Sequence, residues 1–252
     1  MDSTPDERRS FILQRLAELG RLSTHELSAH FQISEHTARR DFRELAAGGL
    51  IKRVHGAALP VGPAHQEFHA RYKISVEEKV RLAKAAGSRV SENQVILVDG
   101  GTTNVEIVRH LPIDLSATIV TNSITVAEAT RHHRNLRVVL LGGTVDQHSQ
   151  MTLGARVLEQ VRRVNADICF LGIHGLDATH GLTTGSVDEA AVKEAMICSS
   201  AEVIAAATSD KLGTVAAFKF AEMTDVDTYV IEQKSTGHPV FEGLLDASLL
   251  GI

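Results

Sequence analysis

The chain has 252 residues, 43% of them hydrophobic and 23% charged, with a formal net charge of −5 and only two cysteines. Such a length buries a sizeable core in one or two domains. The weak negative charge excludes a polybasic coat for nucleic acid, and an aromatic content of 4% with no Trp disfavours stacking platforms for single strands. Residues 1–58 hold nine Lys and Arg against eight Asp and Glu, and the remainder holds 17 against 23, so the negative charge belongs to the second part. The opening MDSTPDERRS lacks a signal-peptide pattern and no apolar run reaches about 18 residues, which predicts a cytoplasmic protein with no membrane partner. Cys169 and Cys198 each lie in an apolar run, and two buried thiols are expected.

Asp6 to Leu19 predicts an amphipathic helix with Phe11, Ile12, Leu16 and Leu19 inward, ended by Gly20. Thr24 is the expected cap of a short helix with Leu27 and Phe31 inward, and Ile33 is a buried turn residue. Ser34 is a good N-cap for a third helix from Glu35 to Ala47, stopped by Gly48-Gly49. Ala38, Phe42 and Leu45 form one apolar stripe. At about 100° per residue, His36, Arg40 and Arg43 point away from it, with Arg39 and Thr37 on its flanks. Alone, this helix reads equally well as a solvated helix with ordinary arginines. Joined to its predecessor by about three residues, it reads as a helix-turn-helix whose basic front suits the major groove.

The following LIKRVHGAAL alternates loosely, with Leu50 and Val54 expected inward and Gly56 at a turn or strand end, as in a basic wing beside the reading helix. Arg40, His36 and Thr37, next to the Ser34 cap, are the candidates for base edges. Arg39, Arg43, Lys52, Arg53 and His55 are the candidates for phosphates. His25, His30, His36 and His55 match no zinc spacing, so no metal is expected. Pro60 to His69, PVGPAHQEFH, breaks helix and strand and marks a linker. The expected division is a winged helix-turn-helix DNA-binding domain over 1–58, a linker over 59–75, and an α/β effector-sensing and oligomerisation domain over 76–252.

Beyond Val76, strands are predicted at 94–98, 117–121, 137–141, 167–172, 202–207 and 227–232, apolar enough to be buried on both faces. Helices are predicted between most of them, at 77–90, 103–110, 123–131, 154–161 and 187–200. That alternation implies a mostly parallel sheet with a ligand site beyond the carboxyl ends of its strands. The strand ends carry fitting chemistry. Asp99 is followed by Gly100-Gly101-Thr102-Thr103 at a helix start, where backbone amides favour phosphate. Thr121-Asn122, Gly142-Gly143 and the GIHGLD stretch with Asp177 end three further strands, and Lys211 follows a fifth as a phosphate partner. Each feature is ordinary alone, since a Gly-Gly after a strand is usually a turn; at successive strand ends they outline a rim for a phosphorylated polyol.

Both halves resemble one family. Arg8, Ile12, Leu13, Gly20, Glu26, Leu27, Phe31, Ser34, Thr37, Arg39, Arg40, Asp41, Leu45, Arg53, His55, Gly56 and Ala58 reproduce the pattern of the DeoR family of bacterial sugar-metabolism repressors. The second half resembles that family's sensor domain at Asp99, Gly101, Thr102, Thr103, Thr121, Asn122, Gly142, Gly143, Asp177, Glu189, Lys193, Lys211 and Gly213. Ala38, Ala57, Thr208 and Leu212 depart from the pattern. The resemblance implies a repressor of carbohydrate genes that binds an operator as a homodimer or homotetramer and answers to a phosphorylated sugar or related polyol. It adds Glu189 and Lys193 to the effector candidates, although their i, i+4 spacing equally predicts a surface pair. The family's sensor fold is similar to ribose-5-phosphate isomerase, so the alternative is a sugar-phosphate isomerase-like enzyme with an accessory DNA-binding domain. The paired acids of those isomerases are reduced here to the single Asp177 of HGLDA, and no nucleotide-binding loop occurs. No catalytic residues and no cofactor are therefore expected.

Overall fold

The computed structural model describes residues 3–61, 67–242, 244 and 248–252, apart from the side chains of 17–19. Helix α1 (Pro5–Leu19) opens with a reciprocal box in which the Thr4 hydroxyl accepts from the Glu7 amide and the Glu7 carboxylate accepts from the Thr4 amide. Gly20, at φ 71°, closes it. A two-residue strand, β1 (Leu22–Ser23), leads into α2 (Thr24–Phe31). The cap of α2 is Ser23 and not Thr24, because Ser23 stands three residues before Glu26 and completes a second reciprocal box. Thr24 lies just inside the helix, buried, and donates its hydroxyl to the Gly56 carbonyl at 3.2 Å.

The third helix, α3 (Glu35–Ala47), is capped by Ser34 and buries Ala38, Phe42 and Leu45 as expected. A hairpin of β2 (Ile51–Val54) and β3 (Ala57–Pro60) turns through His55-Gly56, with Gly56 at φ 68°, and β3 also pairs with β1. The inward residue of β2 is Ile51, not Leu50, which is 53% exposed in the bend before the strand begins. Val54, the other residue expected inward, is half-buried, and Arg53 before it is exposed. Ile12, Leu16, Leu27, Phe42 and Ile51 close the core of this unit, with Phe11 and Phe31 half-buried at its edge. Strand β3 runs past residue 58 to Pro60. Residues 62–66, most of the predicted linker's centre, lie outside the described residues, as does the side chain of Leu19.

The second unit begins with α4 (Phe68–Tyr72) and α5 (Val76–Gly87). Then follow β4 (Val95–Val98), α6 (Thr102–Arg109), β5 (Ala117–Thr121), α7 (Ile124–Ala129), β6 (Leu136–Leu140), a hairpin of β7 (Thr144–Asp146) and β8 (Met151–Leu153), and α8 (Ala155–Val161). Next come β9 (Ala166–Phe170), β10 (Gly175–Asp177), β11 (Gly181–Thr184), α9 (Val187–Cys198), β12 (Ser200–Ala207), β13 (Phe218–Ala221), β14 (Thr228–Ile231) and β15 (Ser248–Gly251). Seven strands form a parallel sheet in the order β15-β14-β12-β9-β4-β5-β6. Six match the predicted strands to within two residues, and β15 was not anticipated.

The two faces are filled by alternate residues. Ile96, Val98, Ile168, Phe170 and Ile204 face one layer, while Leu97, Cys169, Val203 and Ala205 face the other. Strand β6 breaks the expectation of burial on both faces: it is an edge strand, and Val138, Val139 and Leu140 are 38–47% exposed. Cys169 is buried as expected, but Cys198 is exposed, because at the end of α9 the inward positions are taken by Ala195 and Met196.

Order along the sheet fixes where a ligand can enter. From β4 the chain moves outward to β5 and β6, then returns across β4 to β9 and continues to β12. The switch in direction lies between β4 and β9, and the loops after these strands part there to leave a crevice. The two units also touch at a pair of glycines: a Cβ added to Gly213 would lie 3.5 Å from the Gly20 Cα at the end of α1.

Candidate DNA-reading face and effector pocket

The outward face of α3 is built from the cap onward. The Ser34 hydroxyl accepts from the Thr37 amide at 3.1 Å and lies 3.0 Å from the Thr37 hydroxyl, so both are engaged locally at the start of the helix. His36, Arg40 and Arg43 are exposed and Thr37 is half-buried. Arg39 pairs with Glu35 at 2.8 Å, and Arg40 lies 3.8 Å from Glu44. These exposed pairs contribute little to stability, about 0–1 kcal/mol, and exchange readily for phosphate. A cleft between α3 and the wing brings Arg39, Arg53 and His55 together over Thr24 and Phe42. Lys52 is not in that cleft. It faces a cavity against the second unit, with Asp146, His148, Ser186 and Glu189 on the other wall.

Behind this face lies a buried pair that charge patterning did not single out. Asp41 on α3 is fully buried and accepts from Arg8 of α1 at 2.6 and 3.1 Å, a two-pronged contact that sets the angle of the reading helix. Both residues belong to the resemblance pattern, and packing explains why.

A pocket of the second unit lies at the switch between β4 and β9. Its walls include Gly100, Gly101, Thr102, Thr103 and Asn104 after β4, Gly172, Ile173 and His174 after β9, and Ser149, Met151, Arg71, Lys193 and Lys211. Gly101, at φ 127°, caps α6 with no side chain, leaving the first amides of the helix open to the pocket. Thr103 Oγ1 is buried there without a hydrogen-bond partner, and so is Thr208 Oγ1 in the adjoining recess lined by Arg71, Lys79, Thr102 and Lys211. Buried hydroxyls normally find partners, so these mark positions that favour a polar ligand.

Asp99 and Lys193 form a buried ion pair beneath the floor. Asp99 also accepts from the Gly172 amide at 2.9 Å, and Lys193 donates to the Gly172 carbonyl at 2.9 Å. The Asn104 amide spans the two strand ends, donating to the carbonyls of Asp99 and Phe170 at 3.1 Å each. Glu189 stands behind the pocket wall and accepts from the Thr184 hydroxyl. Glu189 and Lys193 are therefore buried, with separate partners, and not a surface pair.

The electrostatics favour an anion. Burial pushes the Lys211 ammonium down to about 8, with Arg71, Lys79 and Lys193 adding to the effect and Asp210 opposing it. Lys211 as a residue is half-buried, while its ammonium sits at the enclosed end. Burial also lowers Lys79 and Arg71 from their usual ranges. His174 is held well below its ordinary value, first by burial and then by the charges of Lys193 and Arg71, so its ring is neutral. The Gly185 amide and the Thr184 hydroxyl each lie 3.2 Å from His174 Nδ1, and an Arg71 guanidinium nitrogen lies 3.4 Å from Nε2.

Of the residues expected on the pocket rim, the structure brings together Gly101, Thr102, Thr103, Lys193 and Lys211, with Asp99 directly beneath. It does not bring Thr121, Asn122, Gly142, Gly143 or Asp177 to this pocket. The hydroxyl of Thr121 donates to Val98 and the amide of Asn122 to Thr152, both within the packing of the sheet edge. Gly143 lies under Val157, where a Cβ would fall 2.5 Å from its methyl. Asp177 organises the β10–β11 turn, accepting from the amides of Thr179 and His180 at 3.0 and 2.9 Å. The ends of β5 and β6 lie one and two strands beyond the switch, too far out to share its crevice. Arg71, His174, Ser149 and Met151 were missed. Arg71 lies before the first strand of the sheet and Ser149 and Met151 in an irregular hairpin, so no strand end signalled them. Two of them carried a signal: Arg71, which with Phe68, Lys73 and Ile74 fits the DeoR pattern just before the second domain, and His174, between Gly172 and Gly175.

Comparison with known proteins agrees with both halves. Residues 8–61 match the model of the DeoR-like helix-turn-helix domain, and residues 74–233 match that of the DeoR C-terminal sensor domain. The HTH-type transcriptional regulator GlpR of Haloferax volcanii is 35% identical over 90% of this chain and 90% of its own. The glycerol-3-phosphate regulon repressor of Escherichia coli is 31% identical over 88% of each. Among solved structures, ribose 5-phosphate isomerase A of Methanocaldococcus jannaschii aligns with 54% of each chain at 17% identity and a TM-score of 0.40. With a matching model over each half and relatives aligned along nearly the whole length, the chain belongs to the DeoR family of helix-turn-helix transcriptional regulators.

Proposed function

We propose that this regulator represses carbohydrate-metabolism genes by binding operator DNA through α3 and the wing, under the control of a phosphorylated sugar or related polyol held at the β4–β9 switch. The observation that carries the effector reading is the convergence of Lys211, Arg71 and Lys79 on the open amides of α6 and the unpartnered Thr103 and Thr208 hydroxyls. Amides, hydroxyls and cations in one recess suit a phosphate. Gly101 and Lys193, which line the pocket above the buried Asp99, suit hydroxyls of the polyol.

On the DNA side, Arg40, His36 and Thr37 are assigned to base edges. Arg39, Arg43, Arg53 and His55 are assigned to phosphates, Ser34 to the helix start that approaches the backbone, and Lys52 to phosphate once the wing parts from the second unit. A pair or pair of pairs of protomers fits paired half-sites, and a site of action on DNA places the protein in the cytoplasm. Among the described residues no helix is long and apolar enough to cross a membrane.

Binding, not turnover, is the role assigned to the pocket. An aldose–ketose isomerisation needs a base at the carbon beside the carbonyl, and the single acid of HGLDA, Asp177, is engaged in a turn away from the pocket. The test is a thermal-shift panel of phosphorylated sugars and polyols on the full chain, with glycerol 3-phosphate first because a similar repressor is named for it. A compound that raises the melting temperature should alter operator affinity, and Arg40→Ala should abolish sequence-specific binding while leaving that shift intact. Catalytic turnover of any panel member would overturn the reading.

A further inference from the structure

The pocket at the switch is nearly full. About 20 Å³ of it is open, room for about one water molecule and far less than a phosphorylated polyol needs. What fills it is Met151, the first residue of β8, which is 3% exposed and lines the pocket. Its side chain lies along the turn after β4. A Cβ added to Gly100 would fall on the Met151 Sδ, 2.5 Å from its Cγ and 3.4 Å from its Cε. The thioether therefore occupies the space over the Gly100-Gly101 turn, beside the open amides of α6.

The backbone that carries Met151 is fixed. The Ile124 amide donates to the Gln150 carbonyl at 3.1 Å and the Thr152 amide to the Asn122 carbonyl at 2.7 Å, which fastens β8 to the end of β5 on both sides of Met151. The Asn122 side-chain amide donates to the Thr152 carbonyl at 3.1 Å, and the Thr152 hydroxyl to the Leu141 carbonyl at 2.7 Å. Moving the hairpin breaks this set of bonds, each worth about 0.5–1.5 kcal/mol. Turning the side chain costs less, because methionine is unbranched, with three rotatable bonds. The pocket thus opens by rotation about a fixed backbone, and the space gained is what one methionine vacates, a file of four atoms from Cβ to Cε.

We propose that Met151 is the specificity residue of the effector pocket: its side chain yields to a short phosphorylated polyol and excludes longer chains. The proposal rests on the effector reading given above. With the phosphate in the recess of Lys79, Thr208 and Lys211, the carbon chain extends along the Gly100-Gly101 turn toward Gly172 and Lys193. The space left by four atoms in line takes a backbone of three or four carbons. A six-carbon chain needs the hairpin itself to move.

The experiment titrates the full chain calorimetrically with an open-chain series: glycerol 3-phosphate, erythritol 4-phosphate, ribitol 5-phosphate and glucitol 6-phosphate. All four carry the same anion, so the ratio of their affinities isolates the carbon chain. The wild type should bind the three- and four-carbon members roughly tenfold or more tightly than the six-carbon member. Met151→Ala should bring that ratio to near one. Met151→Leu, nearly equal in volume, should hold it within about threefold, a rescue that a merely structural role would not show. An unchanged ratio in Met151→Ala overturns the assignment of Met151 and leaves the pocket reading standing. So does a wild type that binds the six-carbon member as tightly as the three-carbon one, and so does a folded Met151→Ala that binds no member. No binding of any member by the wild type overturns the pocket reading and the proposal with it. Should Met151→Ala unfold, Met151→Val carries the test: it is shorter and suited to a strand, so the ratio should fall part of the way, and a wild-type ratio overturns the proposal.

Discussion

Lys211 brings its ammonium into a region that already holds Arg71, Lys79 and Lys193, and its pKa near 8 makes the pocket pH-dependent. Below pH 8 the amine is charged and ready for a phosphate. Above it, the ligand-free pocket releases the proton, so binding a dianion requires taking one up. Affinity for a phosphorylated polyol should be flat from about pH 7 to 8 and then fall, by at most about one decade per pH unit. Calorimetric titration across pH 7–10 checks this, and Lys211→Met should bind more weakly but without that fall. The sign for folding is the reverse. A cation whose folded pKa is below its ordinary 10.5 gives the unfolded chain the greater proton affinity between about pH 8 and 10.5, so this group's contribution to stability rises across that window. The Asp99–Lys193 pair makes a second prediction at this scale. Lys193→Met leaves a buried carboxylate whose remaining donor is the Gly172 amide and should cost about 3–5 kcal/mol, with part recovered in the double variant with Asp99→Asn. Urea midpoints of the three variants measure it, and a silent Lys193→Met would mean that the pair is solvated.

Among the elements, α1 and α3 illustrate what a sequence discloses. The stripe of Ala38, Phe42 and Leu45 was readable because burial imposes a period. The Arg8–Asp41 contact was not readable as a pair, because 33 residues separate its partners and no period links them. Its two positions appeared only as members of a family pattern. Arg8→Ala should leave Asp41 buried without its guanidinium and cost about 3–5 kcal/mol. The loss should be local: amide exchange should speed up in α1 and α3 and stay unchanged in β4 and β9. DNA affinity should drop even though Arg8 faces away from the reading surface, because the angle of α3 is set from behind. Equal acceleration in both units would show that they unfold as one. The pocket glycines were only half legible. Two glycines after β4 signalled close approach to an anion, and Gly101 fits that role. Gly100 instead gives room to Met151, whose sulfur would lie 2.0 Å from an added Cβ, and Gly172 gives room to the Gly100 carbonyl at 2.3 Å. The composition of a turn does not say which neighbour presses on it.

At the scale of the whole molecule, the alternation of strands and helices announced a parallel sheet, but not the order of its strands. That order decides which strand ends meet. Five ends with suitable residues were visible in the sequence, and those of β4, β9 and β12 converge, because the chain reverses its direction across the sheet between β4 and β9. The same scale governs DNA binding. The acidic residues lie mainly in the second unit, and residues 1–58 hold only one more base than acid, so attraction to DNA depends on a few placed arginines and not on bulk charge. To engage DNA, Arg39 would leave the exposed Glu35 carboxylate for phosphate and Arg40 would leave Glu44 for a base edge, and Lys52 would leave the wall formed with Asp146 and Glu189. If each protomer neutralises about three to five phosphates and two protomers bind together, the logarithm of operator affinity should fall against the logarithm of salt concentration with a slope of roughly −5 to −9. Arg43→Ala, which removes one assigned phosphate contact per protomer, should make that slope shallower by roughly 2 while preserving the preference among sequences. Arg40→Ala should do the opposite, lowering the preference among sequences more than the slope. Anisotropy titrations at four or five salt concentrations separate the two, and a salt-independent affinity would remove the phosphate assignments altogether.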